Sequence, residues 1–367
     1  MTPNNQPPKR LLSVDILRGL TVAGMILVNN GYGDSFATLQ HSKWNGLTLC
    51  DLVFPFFLFI VGVSCFLSLS KTNFEPSRNA LRRILKRTLT LFLIGIVLNL
   101  LHNILKENIP DFEHLRIWGV MQRIALCYLA VSLFAIFVNH RYTVPVVCII
   151  LTAYALLLLW GNGYAQDAEV NILAIADRTI FGYDHLYHKS PVDPEGLLGT
   201  LPSIAHVLLG FYCGKILKQT PTVEGKIKRL AIAGTVFTVV GLALSIVLPV
   251  NKRVWSPSYT LITCGLACLL LVLLMMMIDY YQGEKRLKNN LLTLFRVFGV
   301  NALALYVSSE VLAMLFSRFG VNDALYAAIH QVVLPYKWAS LLYSLSFVFI
   351  NYVIGYILYV KKIYIKL

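Results

Sequence analysis

Residues 49–70 read LCDLVFPFFLFIVGVSCFLSLS, a run of 22 residues in which Asp51 is the one charged side chain. A helix that crosses a membrane needs about 20 mostly apolar residues. Over the 367 residues of the chain, 57% are hydrophobic and 14% are charged, whereas soluble domains average about 25% charged residues. The run and the composition together predict a protein built from membrane-spanning helices.

Nine further apolar runs of similar length repeat this pattern along the chain. With 49–70, the ten predicted spans are 14–30, 49–70, 81–101, 116–138, 142–160, 196–217, 227–249, 257–279, 291–315 and 338–360. The longest break, 161–195, is predicted to be a structured loop over the mouth of the bundle, with a flexible connector as the alternative. We therefore predict an all-α, polytopic transmembrane helix bundle. It has a disordered cytoplasmic tail at 1–12 and a single transmembrane domain at 13–367.

The basic residues are divided unevenly between the two sets of loops that alternate along ten spans. One set, which includes both termini, contains 20 of the 32 lysines and arginines, and the opposite set contains nine. Cytoplasmic loops are enriched in lysine and arginine, so both termini are predicted to be cytoplasmic. The same bias accounts for the net charge of +14 without a nucleic-acid partner. No zinc-finger, CxxC or HExxH pattern occurs, so no metal is expected.

Ionisable residues inside the spans are informative because a charge in hydrocarbon is costly and usually faces an interior cavity. Asp15 and Arg18 are three residues apart, so they share a helix face and are expected to pair. The pair is either a simple ion pair at the start of the helix or a site where Arg18 also meets an anionic ligand. Arg123 has no carboxylate within one turn, so its partner is expected to be Asp15, Asp51 or a ligand.

The segment before the second span contains the first candidate catalytic residues. His41, Trp44 and Asn45 precede the span, and Asp51 lies just inside it. A carboxylate beside a histidine fixes the imidazole tautomer and raises its basicity. We therefore predict a catalytic pair, His41 and Asp51. The alternative is a surface histidine beside an interfacial tryptophan.

Two later clusters lie in loops predicted to be external. The first contains Asp193 and Glu195 before an interrupted span, and such spans line cavities. The second combines basic, aromatic and hydroxyl side chains, which suit either a sugar-binding mouth or interfacial anchoring. Its members are Lys252, Trp255, Ser258 and Tyr259.

Taken in order, these motifs resemble the heparan-α-glucosaminide N-acetyltransferase family over nearly the whole chain. The motifs are Ser13-x-Asp15-x-x-Arg18-Gly19, Asn29, His41-x-x-Trp44-Asn45-Gly46-Leu47-Thr48-x-x-Asp51-Leu52-Val53-Phe54-Pro55, Gly119-Val120-Met121-Gln122-Arg123-Ile124-Ala125, Asp193-Pro194-Glu195-Gly196, Asn251-Lys252-x-x-Trp255-x-Pro257-Ser258-Tyr259 and Asn301-Ala302-Leu303. The segment from His41 to Pro55 is the most specific of them.

The resemblance implies that cytoplasmic acetyl-CoA donates an acetyl group to the amine of a glucosamine-type sugar on the other side of the membrane. It implies a bacterial inner membrane location, with the histidine on the periplasmic side, and it is compatible with a homodimer. The position of the family's catalytic histidine is His41. Asp51 and Asn29 match residues near it, and Asn30 is the alternative to Asn29.

The donor and the acceptor are expected to approach from opposite sides of the bilayer. Cytoplasmic arginines, Arg18, Arg87 and Arg296, are expected to bind the CoA phosphates. The pantetheine route is expected to pass Gln122, Arg123 and Asn301. The acceptor is expected among Trp44, Asn45, Asp193, Glu195, Lys252, Trp255, Ser258 and Tyr259.

Two mechanisms and three rival functions stay open at this point. His41 acts either as a general base for direct transfer, which we favour, or as a nucleophile that becomes acetyl-histidine. The rival functions are O-acetylation of an envelope polysaccharide, small-molecule transport and a purely structural role. No inverted repeat is visible, which argues against a transporter. The density of polar clusters within the spans argues against a structural subunit.

Overall fold

The computed structural model describes residues 11–107, 109–281, 290–333 and 335–365. Within these residues every regular element is helical. The α-helices are α1 Leu12–Asn29, α2 Cys50–Leu69, α3 Arg78–Glu107, α4 Val120–Phe137, α5 Thr143–Trp160, α6 Ile172–Phe181, α7 Leu197–Gln219, α8 Val223–Leu244, α9 Pro257–Leu274, α10 Asn290–Val300, α11 Ala302–Arg318, α12 Val321–Val332 and α13 Tyr336–Val360. A π-helical turn, Met275–Tyr280, extends α9.

Nine helices in the described part of the chain are long and apolar enough to cross a membrane, and the number is ten if a bent pair is counted as one span. The prediction of an all-helical membrane bundle is therefore confirmed. The cytoplasmic position of the termini stays a prediction. Most of the predicted tail at 1–12 lies outside the described residues, as do the basic loop residues Lys285, Arg286 and Lys288, and Leu12 already begins α1.

Helices α2 and α7 pack closely at the centre of the bundle. Their contact depends on Gly62 and Gly210, where an added Cβ would lie 2.0 Å from the carbonyl oxygen of Val207 and 2.1 Å from that of Phe59, respectively. Small residues allow membrane helices to approach to backbone contact, which replaces the hydrophobic drive available in water. Helices α3 and α8 bury much less of their surface than α7.

The predicted span 291–315 is not one straight helix, and that prediction is wrong in this respect. The chain bends by 86° between Leu292–Val300 and Ala302–Arg318. Asn301 interrupts the helix because its side chain bonds the segment that follows α13. Its Nδ2 donates to the carbonyl of Ile363 at 3.0 Å, and its Oδ1 accepts from the backbone N–H of Ile365 at 2.9 Å.

The loop 161–195 contains α6, so it includes regular structure, as predicted. One end of the bundle, which we call the site end, is where α1 and α3 end and where α2, α4, α7 and α9 begin. Residues from all six of these regions line a common cavity there.

Candidate active site

A cavity of about 630 Å³ opens at the site end of the bundle. We call it the catalytic cavity. Its size lies within the range of about 300–1,000 Å³ that is usual for small-molecule sites. Its polar lining combines predicted site residues with others that the sequence did not single out. The lining includes Asn29, His41, Asp51, Arg116, Gln122, Glu195, Lys252 and Glu310.

His41 and Asp51 form a directed pair at the edge of this cavity. Nδ1 of His41 lies 2.8 Å from Oδ1 of Asp51, and the aspartate side chain is fully buried while the histidine is half exposed. The other oxygen, Oδ2, accepts from the backbone N–H of Ser42 at 3.1 Å. It also accepts from the N–H and hydroxyl of Thr48 at 3.2 and 3.0 Å. The hydrogen of the neutral imidazole therefore belongs on Nδ1, which leaves Nε2 as an acceptor.

Lys252, which the sequence assigned to substrate binding, lies against this pair. Its Nζ is 3.5 Å from Oδ1 of Asp51 and 3.1 Å from Nδ1 of His41, and 13% of its side chain is exposed. Because the Nδ1 hydrogen points at the carboxylate, the favourable partner of the ammonium is Asp51. Lys252 therefore compensates a buried negative charge that would otherwise be costly.

The loop that contains His41 is tied to the loop that contains Lys252. Nδ2 of Asn251 donates to Oδ1 of Asn45 at 3.0 Å, which joins the two loops directly. Oδ1 of Asn251 accepts from the backbone N–H of Arg253 at 2.8 Å, which folds its own loop. The bond from Asn251 gives Asn45 a positioning role, and Asn45 does not line the catalytic cavity.

Four other predicted substrate residues lie beneath the cavity surface. The side chains of Trp44, Trp255, Ser258 and Tyr259 are buried, and none of these residues lines the catalytic cavity. The hydroxyl of Tyr259 donates to the carbonyl of Asp51 at 2.6 Å. The indole of Trp44 donates to the carbonyl of Tyr164 at 3.0 Å, and the Ser258 hydroxyl donates to that of Leu248 at 2.7 Å. These contacts support the two loops from below.

The predicted carboxylates Asp193 and Glu195 are bound by Arg116, which the sequence had not marked as a site residue. Nη2 of Arg116 lies 2.6 Å from Oδ1 of Asp193 and 2.8 Å from Oε2 of Glu195. Burial alone lowers the pKa of Arg116, but Glu195 and Asp193 together raise it above the usual value. Burial likewise raises the pKa of Glu195, and Arg116 lowers it below its usual range. Arg116 and Glu195 are therefore both charged at neutral pH.

The start of α7 is capped from a distance by Asp177 on α6. Oδ1 of Asp177 accepts from the backbone N–H of Leu197 at 2.9 Å. The side chain is buried, and this burial raises the pKa of Asp177 to about 6. The first turn of a helix has unpaired N–H groups, and the Asp177 oxygen pairs with one of them.

Adjacent residues of α4 have different environments. Gln122 lines the catalytic cavity next to Gly95, where an added Cβ would lie 2.3 Å from the Gln122 Oε1. Arg123 is fully buried; it donates to the carbonyl of Gly196 at 3.1 Å, and its guanidinium lies 5.0 Å from the ring centre of Trp255. A carbonyl and an aromatic face thus contact Arg123 in place of Asp15 or Asp51, two of the three partners that the sequence predicted; the third, a ligand, stays a prediction.

The predicted phosphate-binding arginines lie toward the other end of the bundle. Arg18 pairs with Asp15 at 3.3 Å, as predicted, and also donates to the hydroxyl of Ser64 at 2.7 Å. The guanidinium of Arg87 lies 4.4 Å from the ring centre of Tyr128. Arg296 is exposed on α10. Asn301 lies near this end too, and its side chain is used to bind the segment after α13.

The last turn of α1 shows which of two asparagines faces the cavity. Asn30 is buried and donates to the carbonyl of Ile26 at 2.8 Å, whereas Asn29 lines the catalytic cavity. Nδ2 of Asn29 lies 3.4 Å from Oε1 of Glu310 on α11. Glu310 was not among the predicted site residues, although an ionisable residue inside the apolar run 291–315 is a signal that could have identified it.

Comparisons with known proteins give this site a family context. The family profile described as "Heparan-alpha-glucosaminide N-acetyltransferase, catalytic" matches residues 10–247. Two curated relatives named "Heparan-alpha-glucosaminide N-acetyltransferase" align with 98% of this chain. The Mus musculus protein is 28% identical over an alignment of 431 positions, gaps included, and the Homo sapiens protein is 30% identical over 428. The chain spans about 60% of the length of these relatives.

Proposed function

Because this chain belongs to the heparan-alpha-glucosaminide N-acetyltransferase catalytic family, we propose that it transfers the acetyl group of acetyl-CoA to the amine of a glucosamine-type sugar on the opposite side of the membrane. The single observation that supports this most is the His41–Asp51 pair at 2.8 Å, at the edge of a cavity at one end of the bundle. Such a pair can remove a proton from an attacking amine.

The assignment of the donor is argued from the charges of the ligand and of the protein. Acetyl-CoA is a polyanion, and Arg18, Arg87 and Arg296 lie toward the end of the bundle whose loops are rich in basic residues. Arginine binds phosphate by paired N–H donors. We assign acetyl-CoA as the co-substrate and these arginines to its phosphates. The acetyl-pantetheine arm then extends between the helices toward the catalytic cavity.

The acceptor side rests on the residues around His41. The sugar ammonium first loses a proton to bulk water to become an amine, and the amine nitrogen then attacks the thioester carbonyl carbon. As the C–N bond forms, Nε2 of His41 accepts the second proton, and the buried carboxylate of Asp51 stabilises the imidazolium. The carbon–sulfur bond breaks, and the imidazolium returns its proton to the CoA thiolate. The products are an acetamide and free CoA.

We favour direct transfer over an acetyl-histidine intermediate. The catalytic cavity, at about 630 Å³, has room for the acetyl end of the donor together with an amino sugar. Direct transfer also requires that Nε2 of His41 be a base, as its Nδ1 contact with Asp51 indicates. An acetylated His41 that accumulates without acceptor, detected by mass spectrometry of the intact protein, would establish the nucleophilic route instead.

The direct test is acetyl transfer by the purified full chain. We expect the wild type to release CoA from acetyl-CoA when glucosamine is present, with N-acetylglucosamine as the product by mass spectrometry. His41→Ala should lower the rate by about 10²–10⁴-fold, the usual contribution of a general base, while CoA still binds. His114→Ala is the matched control, because His114 also lies 2.8 Å from an aspartate, Asp111, in an exposed loop.

Three outcomes of this experiment would contradict the proposal. Retained activity in His41→Ala would remove the catalytic assignment. An ester rather than an amide product would indicate O-acetylation. If the wild type does not turn over acetyl-CoA, the result would favour the alternative function, small-molecule transport.

The orientation of the protein is part of the proposal. We place the site end on the periplasmic side of a bacterial inner membrane, because the opposite loops contain most of the basic residues. This placement can be tested by introducing a single cysteine at Ser42, next to His41, and labelling it with a membrane-impermeant maleimide. Labelling of intact spheroplasts supports it, and labelling of inverted vesicles alone contradicts it.

A further inference from the structure

A second cavity lies beside the catalytic cavity, between α3 and α11. Its volume is about 610 Å³, close to that of the catalytic cavity. We call it the side cavity. Its wall includes His102 and Lys106 from α3, and Ala313, Ser317 and Arg318 from α11. Glu310 and Met314 line both cavities, so the two spaces adjoin along one face of α11.

Glu310 is the ionisable group at this junction. It is a half-buried carboxylate on α11, the second half of the bent span. Within the described part of the chain its polar contacts are the amide of Asn29, at 3.4 Å, and the hydroxyl of Tyr306. Both groups are neutral hydrogen-bond donors, so they orient the carboxylate without balancing its charge.

The other carboxylates that line the catalytic cavity have cationic partners. Asp51 lies 3.5 Å from Nζ of Lys252, and Glu195 lies 2.8 Å from Nη2 of Arg116. A carboxylate at membrane depth is costly unless a cation is supplied. Among the described residues that line the catalytic cavity, Glu310 is therefore the carboxylate without a cationic partner, and its charge can meet a positively charged ligand.

We propose that Glu310 binds the ammonium group of the acceptor and that the side cavity contains the rest of the acceptor sugar chain. This inference rests on the proposed acetyl transfer and adds to it a binding site distinct from the His41–Asp51 pair. Amines of this kind are largely protonated near neutral pH. The cationic end thus meets Glu310 at the junction, and the amino group then moves to His41, which lines the same cavity.

The first test is the charge-removing variant Glu310→Gln, which keeps the shape of the side chain and an oxygen for Asn29. We expect the KM for glucosamine to rise about tenfold or more, the usual effect of losing a charged hydrogen bond. The KM for acetyl-CoA should stay within about twofold, because the donor binds elsewhere. Glu169→Gln is the matched control, since Glu169 is an exposed carboxylate that pairs with Arg178.

A pH series adds a readout that a merely structural role would not affect. In the wild type, the KM for glucosamine should rise as the pH passes the pKa of the amine and the ammonium is lost. In Glu310→Gln this dependence should flatten. Equal rises in both KM values, or an unchanged KM for glucosamine, would overturn the assignment of Glu310.

The second test fills the side cavity. Ala313→Trp places an indole in its wall, and Ala328→Trp on the exposed surface of α12 is the control. We expect Ala313→Trp to raise the KM for a glucosamine-terminated oligosaccharide about tenfold more than the KM for free glucosamine. Equal effects on the two acceptors would show that the sugar chain does not use the side cavity.

A binding measurement separates this inference from the proposed function. Without acetyl-CoA, glucosamine should raise the melting temperature of the wild type, whereas glucose should not, and Glu310→Gln should abolish the difference. If this holds but no acetyl transfer occurs, the proposed function fails and the ammonium site stands. If transfer occurs but Glu310→Gln binds glucosamine as the wild type does, the ammonium site fails alone.

Discussion

Replacing Asp51 with asparagine should disable His41 by moving a single hydrogen. Oδ2 of Asp51 accepts three donors, from Ser42 and Thr48, so the carbonyl oxygen of the new amide must occupy that position. The amide nitrogen then takes the place of Oδ1 and points its N–H at Nδ1 of His41. Nδ1 must accept this hydrogen bond, so the imidazole hydrogen moves to Nε2, and Nε2 can no longer act as the base.

The expected magnitude follows from this change of tautomer. In a serine protease triad, the corresponding Asp→Asn change lowers kcat by about 10⁴-fold. His41 is half exposed, so some of its population can rotate, and we expect a loss of about 10³-fold, equivalent to about 4 kcal/mol in the barrier. Lys252 strengthens the effect, because its Nζ lies 3.1 Å from Nδ1 and also donates to an accepting nitrogen.

The assay is the initial rate of CoA release at saturating acetyl-CoA and glucosamine, together with calorimetric measurement of CoA binding. Asp111→Asn is the matched control, because Asp111 also lies 2.8 Å from a histidine, His114, but in an exposed loop. We expect Asp111→Asn to retain full activity and Asp51→Asn to bind CoA normally. An Asp51→Asn variant within tenfold of the wild-type rate would refute the tautomer argument.

Three further predictions concern the stability of the site end, and each is measured by thermal unfolding of the purified protein in detergent. Arg116→Met should destabilise the fold by about 3 kcal/mol, because a buried carboxylate, Glu195, loses its cation; an unchanged melting temperature contradicts this. Burial raises the pKa of Asp177 to about 6, so the protonated side chain stabilises the fold by at most about 3 kcal/mol; this stability is complete below about pH 4, where a free aspartate titrates, and is lost as the pH rises through 6. Asp177→Asn should flatten this dependence, and an unaltered pH profile counts against it. Gly199→Ala should lower the free energy of unfolding by about 1–3 kcal/mol, because the added Cβ would lie 2.7 Å from Nη2 of the buried Arg123. A variant as stable as the wild type would show that Arg123 can move away.

The parts of the structure that the sequence predicted well depend on local properties. A span is visible because about 20 successive residues must each be compatible with hydrocarbon, and nine predicted spans correspond to single helices. The His41–Asp51 pair was also predictable, because the two residues are separated by one short loop. The family resemblance drawn from the motifs is confirmed by the family match over residues 10–247.

The parts that the sequence did not reveal depend on contacts between distant segments. Lys252 lies 211 residues from His41 along the chain, and Arg116 lies 77 residues from Asp193. Neither separation leaves a periodic signal. The bend at Asn301 likewise arises from its bonds to a segment more than 60 residues later. Hydropathy records only composition, so an apolar run that bends resembles one that is straight.

The sequence also could not distinguish residues that face the cavity from residues that support it. Trp255 and Tyr259 have the chemistry of a sugar-binding surface, but both are buried beneath the two loops. Lys252 lies in the same motif and lines the catalytic cavity. The direction of each side chain was decided by loop geometry, which Asn251 controls through its contacts with both loops.

In the proposed reaction, one bundle joins a donor on one side of the membrane to an acceptor on the other, with His41 as the general base. Sealed proteoliposomes test it most directly, with glucosamine enclosed inside and acetyl-CoA, labelled in its acetyl group, supplied outside. We expect labelled N-acetylglucosamine in the vesicle interior, unlabelled CoA outside, and loss of both with His41→Ala. Labelled product that forms only when both substrates are on the same side, or that forms equally with His41→Ala, would contradict it.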